Sequence, residues 1–297
     1  MAKKKFNSIT ITYLSKVSFA SLNGGDKDVD NINPIKKITL SNGKELPYLS
    51  SQAIRRALRD RLEEMGETLS LVTPGSGKNP PATANNPLEY IDDDLFGFLN
   101  ATGRLKRTSP IRVESLVAIN EYKGDLDFGT NFMGVEGGAE PNIFETEIHS
   151  GVYRGTILIE LDRIGSGKGF KEDEALVIEN RKDRMKKFLN AFRTLWSSGR
   201  QTRFLSDVSP KFIAAAAMQV KNPIFLEAVN CDANGSIMLD ELNGVVSDYE
   251  PFIHKSVIAG QKAVFKFSST NNENNIPTLK EGFSEIESWI KEYYKND

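Results

Sequence analysis

The sequence predicts an α+β fold in the ferredoxin-like order strand–helix–strand–strand–helix–strand, and three observations predict it. Residues 7–20 alternate, with Ile9, Ile11 and Tyr13 on one face and Thr10 and Thr12 on the other, which is the period of a strand. Two stretches carry apolar residues at helical spacing. The first runs from Ser50–Ser51 through AIRRALRDRLEEM, with Ile54, Leu58, Leu62 and Met65 as its stripe; the second spans 173–198, with Met185, Phe188, Leu189, Phe192, Leu195 and Trp196. Strand-like runs at 111–120 and 152–164 separate the helices, and another at 211–220 follows the second.

The remaining elements fall around this frame. Residues 21–33 are rich in Gly, Asp and Asn and read as a loop. ITLSNGKELPY reads as a hairpin turning at Asn42-Gly43. Ser50 or Ser51 caps the first helix and Gly66 closes it. Residues 66–110 carry Pro74, Pro80, Pro81 and Pro87 with little strand pattern, and read as an insertion holding a helix near 88–101. GSGKGFK at 165–171 is a turn, KAVFKFS at 262–268 a strand, and 280–294 a closing helix. The same order is shared by RNA-recognition domains, but their aromatic strand motif is absent. An RNA-binding role would therefore not rest on stacking bases on sheet aromatics. No internal repeat and no sharp break in composition divides the chain, which reads as one composite domain.

Composition narrows the function. The 297 residues are 39% hydrophobic and 26% charged, enough for a substantial core. No run of ~18 apolar residues suggests a transmembrane helix. The N-terminal MAKKKFNSITITYL is expected to lead straight into a strand rather than to act as a signal peptide. A single cysteine, Cys231, excludes an internal disulfide and fits a reducing cytoplasm. With only His149 and His254 beside it, no Cys/His zinc site can form, and no cofactor is implied.

The net charge of −2 does not by itself indicate a nucleic-acid partner. The distribution is more informative. SQAIRRALRDR (51–61) sets four Arg against one Asp, and RKDRMKK (181–187) sets five cations against Asp183. Arg200, Arg203 and Lys211 follow, against Asp207. Acids gather elsewhere: Glu89 with Asp92, Asp93 and Asp94, then Glu121, Asp125 and Asp127. The near-neutral sum is expected to hide a basic groove and a separate acidic face; solvated helix faces of mixed charge would give the same sum.

Several catalytic motifs fail on inspection. GSGK at 75–78 and at 165–168 lacks the leading Gly of a phosphate-binding loop (Val72 and Asp162 stand there) and the trailing Ser or Thr (Asn79 and Gly169 stand there). Asp26, Asp28 and Asp30 alternate like the start of a calcium loop, but Asn31 replaces its glycine and Lys37 its closing acid. His149 has no nucleophile elbow near it and reads as structural.

One constellation survives. Ser50 and Ser51 ahead of a helix offer hydroxyls and first-turn amides to an anion, Gln52 adds an amide donor, and Arg55, Arg56 and Arg59 extend one cationic face. Such chemistry suits successive phosphates, not base edges. SSQAIRRALRD resembles the S-x-Q-x-x-[KR]-R-x-x-[KR] helix of the backbone subunit of type I CRISPR surveillance complexes (Cascade), in the RAMP superfamily. GRQTRF at 199–204 resembles that family's G-[KR]-Q-x-x-F. SPKFIAAAAMQVKNPIFLEAV is similar to its following strand and P-[IV]-[FS]-L-x-x-A stretch, and KRTSPIRVESL to its basic entry to another strand. The similarity runs from the first strand to about residue 230, and is greatest to the DevR type of the I-B systems.

The resemblance implies a hand: a ferredoxin-like, RNA-recognition-like palm with large inserted fingers and a thumb. By this division 1–65 begins the palm, 66–150 forms the fingers, 151–198 continues the palm, 199–210 is the thumb, and 211–297 completes the palm. It implies a non-catalytic protein that polymerises with copies of itself along a CRISPR RNA, beside other Cascade subunits. The guide then pairs with target DNA, which a separately recruited nuclease-helicase cuts; no membrane is involved. Matched residue by residue, Ser50, Gln52, Arg55, Arg56 and Arg59 fall on the phosphate-binding helix, with Ser51 beside them. Arg200 and Gln201 fall at the thumb's start, and Phe204 is its wedge against an unstacked base. Lys106 and Arg107 join on basicity, and Arg203 as an assistant. Three alternatives stand beside this: a type III-like relative cutting target RNA through Asp26, Asp28 or Asp30, a CRISPR-RNA-processing endonuclease using His, and an unrelated αβ enzyme.

Overall fold

Alternating strands and capped amphipathic stretches produce the elements in the following order. The long strand β1 (Ser8–Ala20) is followed by β2 (Ile32–Asn33), the hairpin β3 (Lys37–Thr39) and β4 (Glu45–Leu49), and α1 (Ser51–Glu64). Next come α2 (Ile91–Phe96), the hairpin β5 (Phe98–Asn100) and β6 (Leu105–Arg107), then β7 (Ile111–Val113) and β8 (Leu116–Ala118). The pair β9 (Leu126–Asn131) and β10 (Asn142–Glu147) precedes β11 (His149–Glu160), α3 (Ile178–Arg193) and β12 (Phe212–Met218). The chain ends with β13 (Ser236–Met238), α4 (Leu239–Asp248), β14 (Ile253–Gly260), β15 (Lys266–Ser268) and α5 (Leu279–Lys295). The computed structural model describes residues 6–26, 31–76, 81–100, 105–133, 137–138, 142–171, 174–197, 199, 202–270 and 275–295.

An eight-stranded sheet in the order β14-β12-β1-β11-β8-β4-β3, with β7 also on β11, organises the chain. All its pairings are antiparallel. Ile9, Ile11 and Tyr13 of β1 and Ile213, Ala215 and Ala217 of β12 share one face, because Ile11 pairs with Ala215 and Tyr13 with Ile213. Against it lie α1 through Ile54, Leu58 and Leu62, α3 through Phe188 and Phe192, and α5 through Ile286 and Trp289. A Phe or Leu buried in such a core stabilises by roughly 1.5–3 kcal/mol.

The opposite face is also covered. Leu14, Phe212, Ala214, Ala216 and Met218 pack under Phe225, Val229, Ile237, Leu242 and Phe265. Thr10 and Thr12, on the face of β1 opposite Ile9 and Ile11, are therefore buried as well, and Thr12 Oγ1 meets Thr156 Oγ1 at 2.9 Å. A sheet closed on both faces offers no open aromatic platform to a base, consistent with the missing RNA-recognition motif.

Five of the six core elements fall close to where the pattern puts them, and the strand expected at 111–120 is broken into β7 and β8. The second helix is shorter than 173–198, and Met65 of the expected stripe is exposed at the end of α1. The helix near 88–101 is the six-residue α2, which turns into the β5–β6 hairpin at Gly97 (φ 70°). A β-carbon at Gly97 would press on the Arg107 carbonyl and lie 2.8 Å from Ser109 N, so only glycine fits there. β9, β10, β13, α4 and β14 were not expected. β14 is an edge strand and only partly buried, which blurs its period. No described helix is long and apolar enough to cross a membrane.

Candidate nucleic-acid interface

Helix α1 begins where the sequence places it. Ser50 has extended backbone (φ −64°, ψ 151°), and its side chain accepts from Ala53 N at 3.3 Å, a cap typically contributing ~1 kcal/mol. The first turn is less open to an anion than the sequence suggests. Ser51 N donates to Ser115 Oγ at 3.2 Å, and Ser50 N to Asn23 Oδ1 at 3.0 Å. Of the amides at 51–53, only that of Gln52 has no protein acceptor among the described residues. Asn23 and Ser115 carry no sequence signal for this role, because each lies in a loop that reaches α1 only through the sheet.

The three arginines divide. Gln52 and Arg56 are exposed, and Arg56 Nε lies 2.7 Å from Asp60 Oδ1. Arg55 and Arg59 turn toward α2. Arg55 Nη2 donates to the Phe96 carbonyl at 2.9 Å, and Arg59 lies 4.8 Å from the Phe96 ring centroid with its Nε 3.3 Å from Asp92 Oδ2. Burial, and then the charge of Arg59, lowers the Arg55 guanidinium below its usual range. Thus Ser50, Ser51, Gln52, Arg55, Arg56 and Arg59 are brought together on one helix, but its open edge is Gln52 and Arg56.

Arg107 corrects an expectation. Its side chain is completely buried, and all five donors of its guanidinium are used inside the protein. Nε donates to the Asp94 carbonyl (2.9 Å), Nη1 to the carbonyls of Ser166 (3.0 Å) and Lys168 (2.9 Å), and Nη2 to Asp94 Oδ1 (2.5 Å) and the Arg163 carbonyl (2.6 Å). No donor remains for a phosphate. Lys106, its neighbour on β6, faces outward and is exposed, as strand alternation requires.

The acidic face expected around Asp92, Asp93 and Asp94 is likewise corrected: all three are buried. Asp94 binds Arg107, Arg184 (Nη1 to Oδ2, 2.7 Å) and the amide of Gly165, and so joins α2, β6, α3 and the turn after β11. The GSGK turn at 165–168 therefore points two carbonyls at an internal arginine, the reverse of a phosphate cradle. Arg184 of the basic RKDRMKK run is consumed in the same cluster, and Lys187 of that run is paired with Glu67 and Asp183.

Arg200 and Gln201 lie outside the described residues. Phe204 is 2% exposed and packs on Phe19 with ring centroids 5.3 Å apart, so in this protomer it is a core residue rather than a presented wedge. Arg203 is ion-paired with Asp127 of β9, donates to Thr146 Oγ1 of β10 at 3.3 Å, and lies 5.1 Å from the Phe144 ring. It fastens the segment after α3 to the β9–β10 pair.

Asp26 lines a polar cavity of about 530 Å3 with Lys36, Lys37 and Glu147, while Asp28 and Asp30 lie outside the described residues. Among the described residues no group of three or more His, Cys, Asp or Glu is placed to hold a metal ion. His149 is 4% exposed, its Nδ1 is 2.7 Å from the Tyr153 hydroxyl, and burial lowers its imidazole below 6.5. These are the surroundings of a structural histidine.

Comparison with known proteins adds to this geometry. Residues 16–232 match the model of a family described as CRISPR-associated negative auto-regulator DevR/Csa2. The CRISPR-associated protein Cas7/Cst2/DevR of Myxococcus xanthus (strain DK1622) is 26% identical over 254 residues, covering 78% of this chain and 79% of its own. A chain of a solved CRISPR RNA-guided surveillance complex superposes with a TM-score of 0.58 at 15% identity, over 95% of this chain and 99% of its own. A chain of such a complex in a pre-nicking state gives 0.59 at 13% identity, over 95% and 100%. At these identities the two structures establish a shared fold.

Proposed function

Since this chain belongs to the DevR/Csa2 family of CRISPR-associated proteins, we propose that it is a CRISPR-RNA-binding backbone subunit of a type I surveillance complex of the I-B kind. Copies of it line up along one guide RNA with the other subunits, in the cytoplasm, and hold the guide for pairing with target DNA. The subunit grips phosphates and cuts nothing itself; a recruited nuclease-helicase does the cutting.

The observation that carries this reading is the open edge of α1. Gln52 and Arg56 face solvent beside a capped helix start whose Gln52 amide has no protein acceptor among the described residues. A donor set of amide, carboxamide and guanidinium fits backbone phosphate oxygens. The sheet supports the palm reading: β12, β1, β11 and then β7 or β8 lie side by side, which in the order of the six core elements is 4-1-3-2, with α1 and α3 on one face. That order agrees with the ferredoxin-like palm of this reading. In this reading β9–β10 and β5–β6 belong to the fingers and the segment after α3 to the thumb. Lys106 is the contact from the fingers that stays open, and Phe204 must leave its core position to act as a wedge.

The test is to purify the protein from a host expressing a CRISPR array and sequence the RNA that comes with it. Repeat–spacer RNA of uniform length, released by salt with a log slope of about 0.7 per phosphate contact, supports the reading. RNA-free preparations from such cells overturn it.

A further inference from the structure

Three consecutive carboxylates on α2 are buried, and two of them have cations. Asp92 meets Arg59, and Asp94 meets Arg107 and Arg184. Asp93, 1% exposed, has no cationic partner among the described residues, and only its Oδ2 is served, by Asn86 N at 2.9 Å. Its Oδ1 has no hydrogen-bond partner among them. The segment that Asn86 ties to Asp93 holds two more buried oxygens in the same condition, Thr83 Oγ1 and Asn85 Oδ1. Asn85 Nδ2 donates to the Thr83 carbonyl at 2.8 Å, which draws these two residues together, and Ala84 N between them is fixed on Ser70 Oγ at 2.7 Å. Native proteins rarely leave buried polar atoms unserved, so three acceptors in one short stretch point to a bound species.

The chemistry of the three oxygens selects that species. A carboxylate oxygen and an amide oxygen can only accept. A water molecule can donate to two of the three, but it leaves Asp93 buried without a counter-charge, which is costly. A cation serves all three oxygens and cancels that charge. One carboxylate with two neutral oxygens balances a single positive charge. A divalent ion would overshoot, because Arg184 already stands on the carbonyls of Pro87 and Leu88 just along the chain. We propose that Thr83, Asn85 and Asp93 form a site for a monovalent alkali cation, sodium or potassium. Bound there, the ion pins segment 83–86 to α2, against which Arg55 and Arg59 rest. Thr83 also lines a cavity of about 360 Å3 beside α1, which gives the ion a way in. The inference does not depend on the RNA-binding reading, and it is tested on the chain free of RNA.

The experiment is thermal melting of the full chain in potassium, sodium and N-methylglucamine chloride at equal ionic strength, which makes general screening the same in each. At about tenfold excess over its Kd, the fitting ion should multiply the folding equilibrium by about eleven. That raises the melting temperature by roughly 3–6 °C, and the gain should saturate. Asp93→Asn should lose this response. In N-methylglucamine chloride it should melt at or above wild type, since it removes a buried charge that has no partner in that salt. Thr83→Val keeps the shape, removes one ligand oxygen, and should raise the half-saturating concentration several-fold; it decides the question if Asp93→Asn does not fold. The larger gain, with sodium or with potassium, names the ion. Equal melting of wild type in all three salts overturns the proposal, as does an equal gain in wild type and Thr83→Val. A saturable gain with calcium chloride alone overturns the choice of a monovalent ion.

Discussion

Replacing Asp94 by Asn removes one charge from the place where four parts of the chain meet. In the native protein its two oxygens serve the Arg107 and Arg184 guanidinium groups and the Gly165 amide. Asn keeps the shape but leaves both cations without their counter-charge, and turns an NH2 toward groups that can only donate. Breaking a buried pair by removing one partner costs about 3–5 kcal/mol. The Arg107 carbonyl contacts remain, so we expect the lower part of that range, near ~3 kcal/mol. At roughly 2–4 °C per kcal/mol for a chain of this order of size, the melting temperature should fall by about 10 °C. Urea titration followed by tryptophan fluorescence reads the same loss as a lower midpoint. A double-mutant cycle with Arg107→Met should give strong coupling, because once Asp94 is gone Arg107 has less to lose. A loss under ~1 kcal/mol with an unchanged urea slope would refute the claim that Asp94 organises this region.

Three further expectations follow from the same geometry. Phe204→Ala should destabilise by about 3–5 kcal/mol through the cavity it leaves, read by thermal melting without RNA; an unchanged melt would mean that the ring is presented to ligand rather than packed on Phe19. Gln52→Ala with Arg56→Ala should weaken single-stranded RNA binding equally for all sequences and reduce the salt slope by about 0.7, for the one cation lost; Arg107→Ala, in contrast, should show itself first as lost stability. Burial, against the opposing charge of Asp125, holds the His149 imidazole below 6.5. The folded state therefore binds that proton less readily than the unfolded chain, and stability falls as pH drops from 6.5 toward the lowered value. His149→Gln should flatten the stability profile in that window and leave it unchanged above it, and parallel profiles would disprove the assignment.

How much was legible depended on whether a signal is local. The core strands, the capped helix at Ser50 and the hairpin at Asn42-Gly43 rest on periods and turn residues within a dozen positions, and they are present close to where they were read, the strand at 111–120 as the two pieces β7 and β8. The pattern of basic residues marked α1 in the same way. It could not tell Arg56 from Arg55 and Arg59, because what separates them is α2, whose contacts lie 41 and 33 residues away in the chain. A guanidinium reads identically in sequence whether it meets water, as Arg56 does, or five internal acceptors, as Arg107 does. Asp92–Asp94 read as a surface cluster for the same reason.

What the sequence alone determined about this protein is therefore the order of its core elements, its helix start with a row of donors, and the family its motifs resemble. These depend on backbone preference and on hydrophobic period, which each short stretch carries by itself. Only the tertiary structure decided which charges remain for a ligand. A buried charge is tolerated only with a partner, and the partners of Arg107, Arg184 and Asp94 come from segments that meet only when the sheet has formed and α2 lies against α1 and α3.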